Sequence, residues 1–285
     1  MSRIVYVNGA YLPEEQATVS IFDRGFIFGD GVYEATSVID GVLVDVEAHL
    51  ARLERSCREI KLSLPWSRPE LVAIHRELIK RNGLNEGSVY LQVTRGAADR
   101  EFPFPKQAAS TLVMFTQARR LLDAPAAKTG IKVVSAPDLR WARRDIKSVN
   151  LLASVLAKQF ASENGAQEAW MLEDGVVTEG GSSTAWIVKD RTLISRPLSE
   201  KVLPGITRQA VLAFVAESGF TFEQRAFTLQ EALAADEAFI TSATNFVMPV
   251  VEIDGQPIGK GVPGETVGRL RALYIQFARK GGALG

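Results

Sequence analysis

Glu34-Ala-Thr-Ser-Val-Ile39-Asp40-Gly41-Val42-Leu-Val-Asp-Val46 is the stretch that decides the fold class. Two apolar, β-branched runs flank an Asp-Gly pair, a favoured two-residue hairpin turn because both of its residues must take positive φ. A hairpin joins antiparallel strands, whereas parallel strands need a crossover of a dozen residues or more. The same signature recurs at Asn8-Gly9, Asp174-Gly175 and Asp254-Gly255, and Lys189-Asp190-Arg191 reads as a further turn. Hairpins outnumber strand–helix–strand alternations, so the chain reads as two α+β domains, the second strand-rich, and not as a doubly wound sheet.

Working outward, Leu50, Leu53, Cys57 and Ile60 recur at helical spacing and predict an amphipathic helix over about Glu47–Leu62. A second helix is expected over Arg68–Asn82, stopped by Gly83, then strands over Ser88–Arg95 and Ser110–Thr116. The pattern lapses over residues 119–129, which read as an interdomain linker between domains at 1–118 and 130–285. Beyond it come a strand at Ile131–Ser135, a helix over Ser148–Asn164 closed by Gly165, and helices over Thr207–Gly219 and Glu265–Lys280.

At 285 residues, with 46% hydrophobic and 23% charged side chains, the composition is that of an ordinary soluble protein. Thirty-three basic and 33 acidic residues cancel, which gives no electrostatic reason to expect nucleic acid or a membrane surface as partner. One cysteine and two histidines leave no intrachain disulfide and no zinc ligand cluster, so no metal is expected. No apolar run reaches the roughly 20 residues of a membrane span, and the start lacks a signal peptide's apolar core. A cytoplasmic protein is the expectation.

Within that frame one lysine stands out. Lys147 lies in Arg143-Arg-Asp-Ile-Lys147-Ser-Val-Asn-Leu-Leu152, at what reads as a helix entrance, and Glu179 follows in Thr178-Glu-Gly-Gly-Ser-Ser183. A lysine amine forms a Schiff base with pyridoxal phosphate, and a carboxylate can hold that cofactor's ring nitrogen protonated. Alone, each is a commonplace residue: a solvated lysine, a strand-end carboxylate. Arg52 alone reads as part of the polar face of its helix. Together with Gly205-Ile206-Thr207, a helix start of the kind that binds phosphate, and Ser242-Ala243-Thr244 at a strand end, they assemble a cofactor site. Arg52 adds a forked, charged contact suited to a dianion. Tyr33 and Arg100 are candidates for the substrate side, Arg100 in the proline- and aromatic-rich loop Ala97-Ala-Asp-Arg100-Glu-Phe-Pro-Phe-Pro105.

These residues carry a wider likeness. Asp23-Arg24-Gly25, Phe28-Gly29-Asp30-Gly31-Val32-Tyr33-Glu34, His49 with Arg52-Leu53, and Val93-Thr94-Arg95-Gly96 belong to it. So do Arg140-Trp141, Asp145-Ile146-Lys147-Ser148, Asn150-Leu151-Leu152, Thr178-Glu179-Gly180, Gly205-Ile206-Thr207-Arg208 and Thr241-Ser242. Spread over nearly the whole chain, they resemble the fold-type IV (class IV) pyridoxal-phosphate aminotransferases, and within them the D-amino-acid aminotransferases.

The resemblance implies a small N-terminal α+β domain and a larger, barrel-like C-terminal α/β domain with the cofactor at their interface. It implies Lys147 as the Schiff-base lysine and proton carrier, and Glu179 as the carboxylate on the ring nitrogen. Arg52, Ile206, Thr207, Ser242 and Ala243 fall where the family holds the phosphate. Tyr33 falls near the substrate, and Arg100 matches an arginine that serves the neighbouring subunit of a homodimer by binding the α-carboxylate. The implied reaction is a ping-pong transfer from a D-amino acid, D-alanine, to a 2-oxo acid, 2-oxoglutarate, giving pyruvate and D-glutamate. Phe102 departs from the pattern, since a bacillary member has histidine there. Loss of that donor costs the carboxylate site about 1–2 kcal/mol if nothing replaces it. Branched-chain and (R)-amine transaminases and aminodeoxychorismate lyases share the lysine and glutamate and are the alternatives.

Overall fold

The computed structural model describes residues 2–282, with the side chains of 216–218 outside the description. It divides into two compact units: one runs through Arg120 with Ile146–Asn150 and the stretch from Arg279, the other holds Leu121–Asp145 and Leu151–Ala278.

The first unit contains, in order, β1 (Ile4–Val7), β2 (Ala10–Pro13), α1 (Arg24–Phe28), β3 (Gly31–Ile39), β4 (Val42–Leu43), α2 (Val46–Glu59), α3 (Arg68–Asn82), β5 (Gly87–Thr94) and β6 (Thr111–Ala118). Its sheet runs β2-β1-β6-β5-β3-β4, antiparallel throughout. The Asp40-Gly41 turn has φ of 51° and 74°, as a hairpin of that length requires. Alternation along β5 sends Val89, Leu91 and Val93 into the core against Leu50 and Leu53 of α2 and Leu71 and Leu78 of α3. The other face carries a stack of Tyr33, Tyr90 and Phe115, with centroids 5.5 and 4.8 Å apart. Ser67 and Glu70 form a capping box at the start of α3, and Gly83 ends it in the left-handed region.

Two expectations fail here. Arg52 is buried, not on a polar face, because a buried carboxylate on β3 draws it inward. The helix expected from Ser148 begins only at Leu152. Ser148 instead forms an isolated bridge to Val32: Tyr33 donates its backbone N–H to the Lys147 carbonyl (3.0 Å), and Val149 donates to Gly31 (3.1 Å). β4 pairs only with the far end of β3, at Val38 and Ile39, so this segment covers the edge of β3 that β4 leaves open.

His75 on α3 is buried, with Nδ1–H donating to the Leu71 carbonyl (2.7 Å) and Nε2 without a partner. Burial lowers its pKa to about 4. The folded state therefore holds this imidazole neutral while the unfolded chain protonates it near 6.5, so stability is lost as pH falls from about 6.5 towards 4. The loss is about 3 kcal/mol, and urea titrations of His75→Gln across that window should show a shallower pH slope than the parent.

The second unit contains α4 (Pro125–Thr129), β7 (Ile131–Pro137), α5 (Leu152–Glu163), β8 (Glu168–Glu173), β9 (Val176–Gly180), β10 (Thr184–Lys189), β11 (Thr192–Ser195), α6 (Ile206–Ser218), β12 (Thr221–Gln224), α7 (Leu229–Leu233), β13 (Glu237–Ser242), β14 (Phe246–Ile253), β15 (Gln256–Pro257) and α8 (Glu265–Arg279). Within the stretch read as a linker, residues 125–129 are this short α4. One mixed sheet runs β12-β11-β10-β13-β14-β7-β8-β9, with β15 beside β14. Laid flat, five strand spacings would separate β9 from β10 by about 24 Å. Residues 181–183 alone connect them and span at most about 15 Å, so the sheet must curl on itself. Gly180 N–H reaches Ser183 O at 2.7 Å across that junction. Ala185, Ile187, Ala238, Ile240, Met248 and Val250 face the resulting core. On the other face, Trp186 and Phe239 stack at 5.3 Å.

Candidate active site

Each unit carries one cluster of the residues singled out in the sequence. In the first unit, the segment paired to the open edge of β3 brings Lys147 beside Tyr33, with Nζ 4.2 Å from the ring centroid. Its backbone N–H donates to Ser56 Oγ on α2 (3.3 Å). Among the described residues no carboxylate pairs with the amine. Glu34, next to Tyr33, is 1% exposed and receives a fork from Arg52: Nε to Oε1 and Nη2 to Oε2, both 2.8 Å. His49 Nδ1 lies 2.7 Å from Glu34 Oε2. Burial pushes the Glu34 carboxyl up, but Arg52 and His49 outweigh it and hold it well below the usual range. An ionised carboxylate only accepts, so Nδ1 of His49 carries the proton, and burial keeps that ring neutral by lowering its pKa.

Arg100 lies on the exposed loop after β5, its guanidinium 5.4 Å from the Phe28 ring and 5.7 Å from that of Phe102. Phe102 is 77% exposed and packs on Phe28 with centroids 5.4 Å apart. Where the bacillary pattern has a donor, this chain has an aromatic face against the arginine.

In the second unit, Glu179 sits at the end of β9, buried, and accepts from Arg140 Nη1 and from the Leu203 backbone N–H at 3.3 and 3.2 Å. Arg140 is itself held by Asp138, Nε to Oδ1 at 2.9 Å and Nη2 to Oδ2 at 2.6 Å, and Thr178 Oγ1 donates to the same carboxylate at 2.6 Å. Burial raises the Glu179 pKa; Arg140 and the Leu203 N–H pull against that rise without cancelling it. The carboxylate's charge thus depends on the arginine clamp. Asp138 was not singled out by sequence reading, and Arg140 entered only as part of the family likeness, with no role given to it.

Apart from Arg52, which lies in the first unit, the phosphate candidates are in the same unit. α6 starts at Ile206 with Gly205 as N-cap and no side chain capping it. A Cβ on Gly205 would lie 2.9 Å from Thr184 Oγ1, so any larger residue would have to displace that hydroxyl. Ile206 and Thr207 are buried in the first turn, at the positive end of the helix dipole. Ser242 ends β13 and Ala243 follows it, and Ser242 Oγ accepts from the backbone and side chain of Asn245 (3.2 and 3.1 Å). Next to them, Thr241 Oγ1 accepts from Trp186 Nε1 at 3.0 Å.

A family model described as amino-transferase class IV matches residues 31–253. The chain belongs to the class IV aminotransferase family. It is 41% identical over 260 residues to a D-alanine aminotransferase of Bacillus licheniformis, covering 91% of this chain and 92% of that one. A D-alanine aminotransferase of Staphylococcus epidermidis is 38% identical over 276 residues, covering 96% and 97%. Among solved structures, a T.th. branched-chain amino acid aminotransferase with pyridoxamine 5'-phosphate superposes with a TM-score of 0.91 at 26% identity, over 99% of this chain and 95% of that one. The Escherichia coli branched-chain enzyme has the same fold, with a TM-score of 0.91 at 24% identity over 97% and 94%.

Class IV aminotransferases use pyridoxal phosphate, and amino acids and 2-oxo acids are their substrates. The residues present in this aminotransferase are of the kinds that cofactor requires. Among the described residues are an amine with no carboxylate partner, a buried carboxylate and a helix start with no side-chain cap, the kinds of group that can hold an aldehyde carbon, a ring nitrogen and a phosphate.

Proposed function

We propose that this aminotransferase moves the amino group of D-alanine to 2-oxoglutarate, giving pyruvate and D-glutamate in two half-reactions. The observation that carries the reading is its likeness to D-alanine aminotransferases, at 38–41% identity over more than 90% of both chains. The branched-chain enzymes of the same fold share 24–26%.

Bound pyridoxal phosphate supplies an electron sink for the charge left when a Cα proton departs. Lys147 Nζ would hold the aldehyde carbon of the bound group and would take the proton from the substrate Cα. Tyr33 stands against that amine. Glu179, anionic under the Arg140 clamp, keeps the ring nitrogen protonated. The Ile206 and Thr207 amides, the Ser242-Ala243 turn and Arg52 hold the phosphate, and Arg100 takes the substrate carboxylate in a charge-assisted pair.

The working form is a homodimer in which each Arg100 serves its neighbour, and its location is cytoplasmic. Exposed apolar side chains in both units, such as Phe26 (77%) and Leu139 (75%), support burial against a second copy. No helix among the described residues is long and apolar enough to cross a membrane. Sedimentation at micromolar concentration is expected to give twice the chain mass.

A half-reaction panel tests the substrate. D-alanine and D-glutamate are expected to bleach the visible band of the loaded protein within seconds, and L-leucine and an (R)-arylalkylamine far more slowly. Bleaching by L-leucine alone would make this a branched-chain enzyme. Arg100→Ala is expected to raise KM for D-alanine by about 10–100-fold, the worth of a hydrogen-bonded charge pair, and to move KM for the amine far less. Equal effects on both would remove Arg100 from carboxylate binding.

A further inference from the structure

We infer that Arg24 is a positioning residue for substrate recognition: clamped by Asp30, it grips the loop that carries Arg100 and sets where that guanidinium stands. This rests on the reading of Arg100 as the carboxylate site. The sequence shows only that Arg24 and Arg100 lie 76 positions apart; the fold brings Arg24 to the loop.

Arg24 is the first residue of α1 and is buried. Its donors go to three acceptors. Nε donates to Asp30 Oδ2 at 2.8 Å, Nη1 to the carbonyl of Glu101 at 2.6 Å, and Nη2 to that of Phe102 at 3.3 Å. The two carbonyls directly follow Arg100 along the chain. The guanidinium also lies 4.6 Å from the Phe28 ring, and Arg100 faces Phe28 as well. Phe28 and Phe102 thus form an aromatic shelf under Arg100, and Arg24 fixes the backbone of the shelf's outer half.

The strut is itself anchored. Asp30 accepts from Arg95 Nε (2.8 Å) and Nη2 (3.0 Å) as well as from Arg24. Arg95 in turn donates to the carbonyls of Ile60 and Lys61 beyond α2, both at 2.8 Å. Phe104, on the same loop, lies with its ring 3.6 Å from the Arg95 guanidinium. Two arginines sharing one carboxylate therefore hold the loop at residues 101, 102 and 104. Burial pushes the Asp30 carboxyl up, but its bonds to Arg95 and Arg24 leave it below the usual range, so the anchor stays charged. A surface loop would otherwise hold an arginine only loosely, and a forked carboxylate contact tolerates little misplacement.

The experiment compares how fast aminooxyacetate and methoxyamine discharge the visible band of the loaded protein. Both attack through the same aminooxy nitrogen, and only the first carries a carboxylate. The ratio of their second-order rate constants therefore reads carboxylate recognition without turnover. Arg100→Ala fixes the ratio that remains when the guanidinium is gone. Arg24→Met is expected to lower the ratio by about tenfold, most of the way to that value. Arg24→Lys should do nearly the same, because a single ammonium nitrogen cannot take the places of the three separate guanidinium nitrogens that meet Asp30 and the two carbonyls. Phe102→Ala, at an exposed position less able to disturb folding, should give a smaller fall of about threefold.

A parental ratio in Arg24→Lys or Arg24→Met, with Arg100→Ala reduced, overturns the role of Arg24. Should neither Arg24 variant fold, a parental ratio in Phe102→Ala overturns the shelf and strut together. If Arg100→Ala itself keeps the parental ratio, the carboxylate reading of Arg100 fails first, and with it the basis of the inference.

Discussion

Lys147→Ala is expected to lose the visible absorption band of the pyridoxal-phosphate-loaded protein and to lower turnover by roughly 10⁴-fold, the upper range for removing a positioned general base. The side chain is half-buried and lies against the ring of Tyr33. Its backbone bonds to Tyr33 and Ser56 survive truncation, so the variant should fold and bind phosphate as the parent does. Absorbance after reconstitution and single-turnover rates with D-alanine check both parts. A variant that kept its colour and its rate would remove Lys147 from the chemistry.

The second large effect is expected at Glu179. Glu179→Gln keeps the shape of the side chain and its bond from Leu203 N–H but removes the charge proposed to face the ring nitrogen. Proton abstraction is expected to slow by about 10²–10³-fold, the scale of losing one preorganised charge contact in a dry site. Arg140→Met tests the same electrostatics from outside. Burial already raises the Glu179 pKa, and Arg140 is the largest influence opposing it. Without the guanidinium the carboxyl should climb further, because the adjacent opposite charge that favours its ionised form is gone. Since the anionic form is the active one, the acid limb of the pH–rate profile should move to higher pH. An unmoved limb would show that Arg140 does not control the charge of Glu179.

Much of the architecture was legible because it is written in short-range rules. The Asx-Gly turns must adopt positive φ, and each is found in that conformation, which is enough to set the antiparallel pairs. Lys147 and Glu179 were legible as residue types whose chemistry suits one cofactor. What could not be read locally depends on partners distant in sequence. Arg52 sits inward because Glu34, 18 positions earlier, receives it. The residues after Lys147 have helical composition, yet 147–149 pair with the open edge of β3, so tertiary pairing overrides propensity. The Asp138–Arg140 clamp and the Arg24 strut are bonds across 39 and 77 positions, respectively, to Glu179 and Glu101. At five residues, α1 was too short for periodicity to show, and only the Asp23 cap, which accepts from Gly25 N–H at 2.8 Å, marks its start.

The central claim is that Lys147 carries the cofactor, and peptide mapping of the loaded protein after borohydride reduction tests it most directly. The account predicts a phosphopyridoxyl adduct on the peptide containing Lys147, prevented when the protein is first treated with D-alanine. An adduct on another lysine, or full labelling of Lys147 after D-alanine treatment, would contradict it.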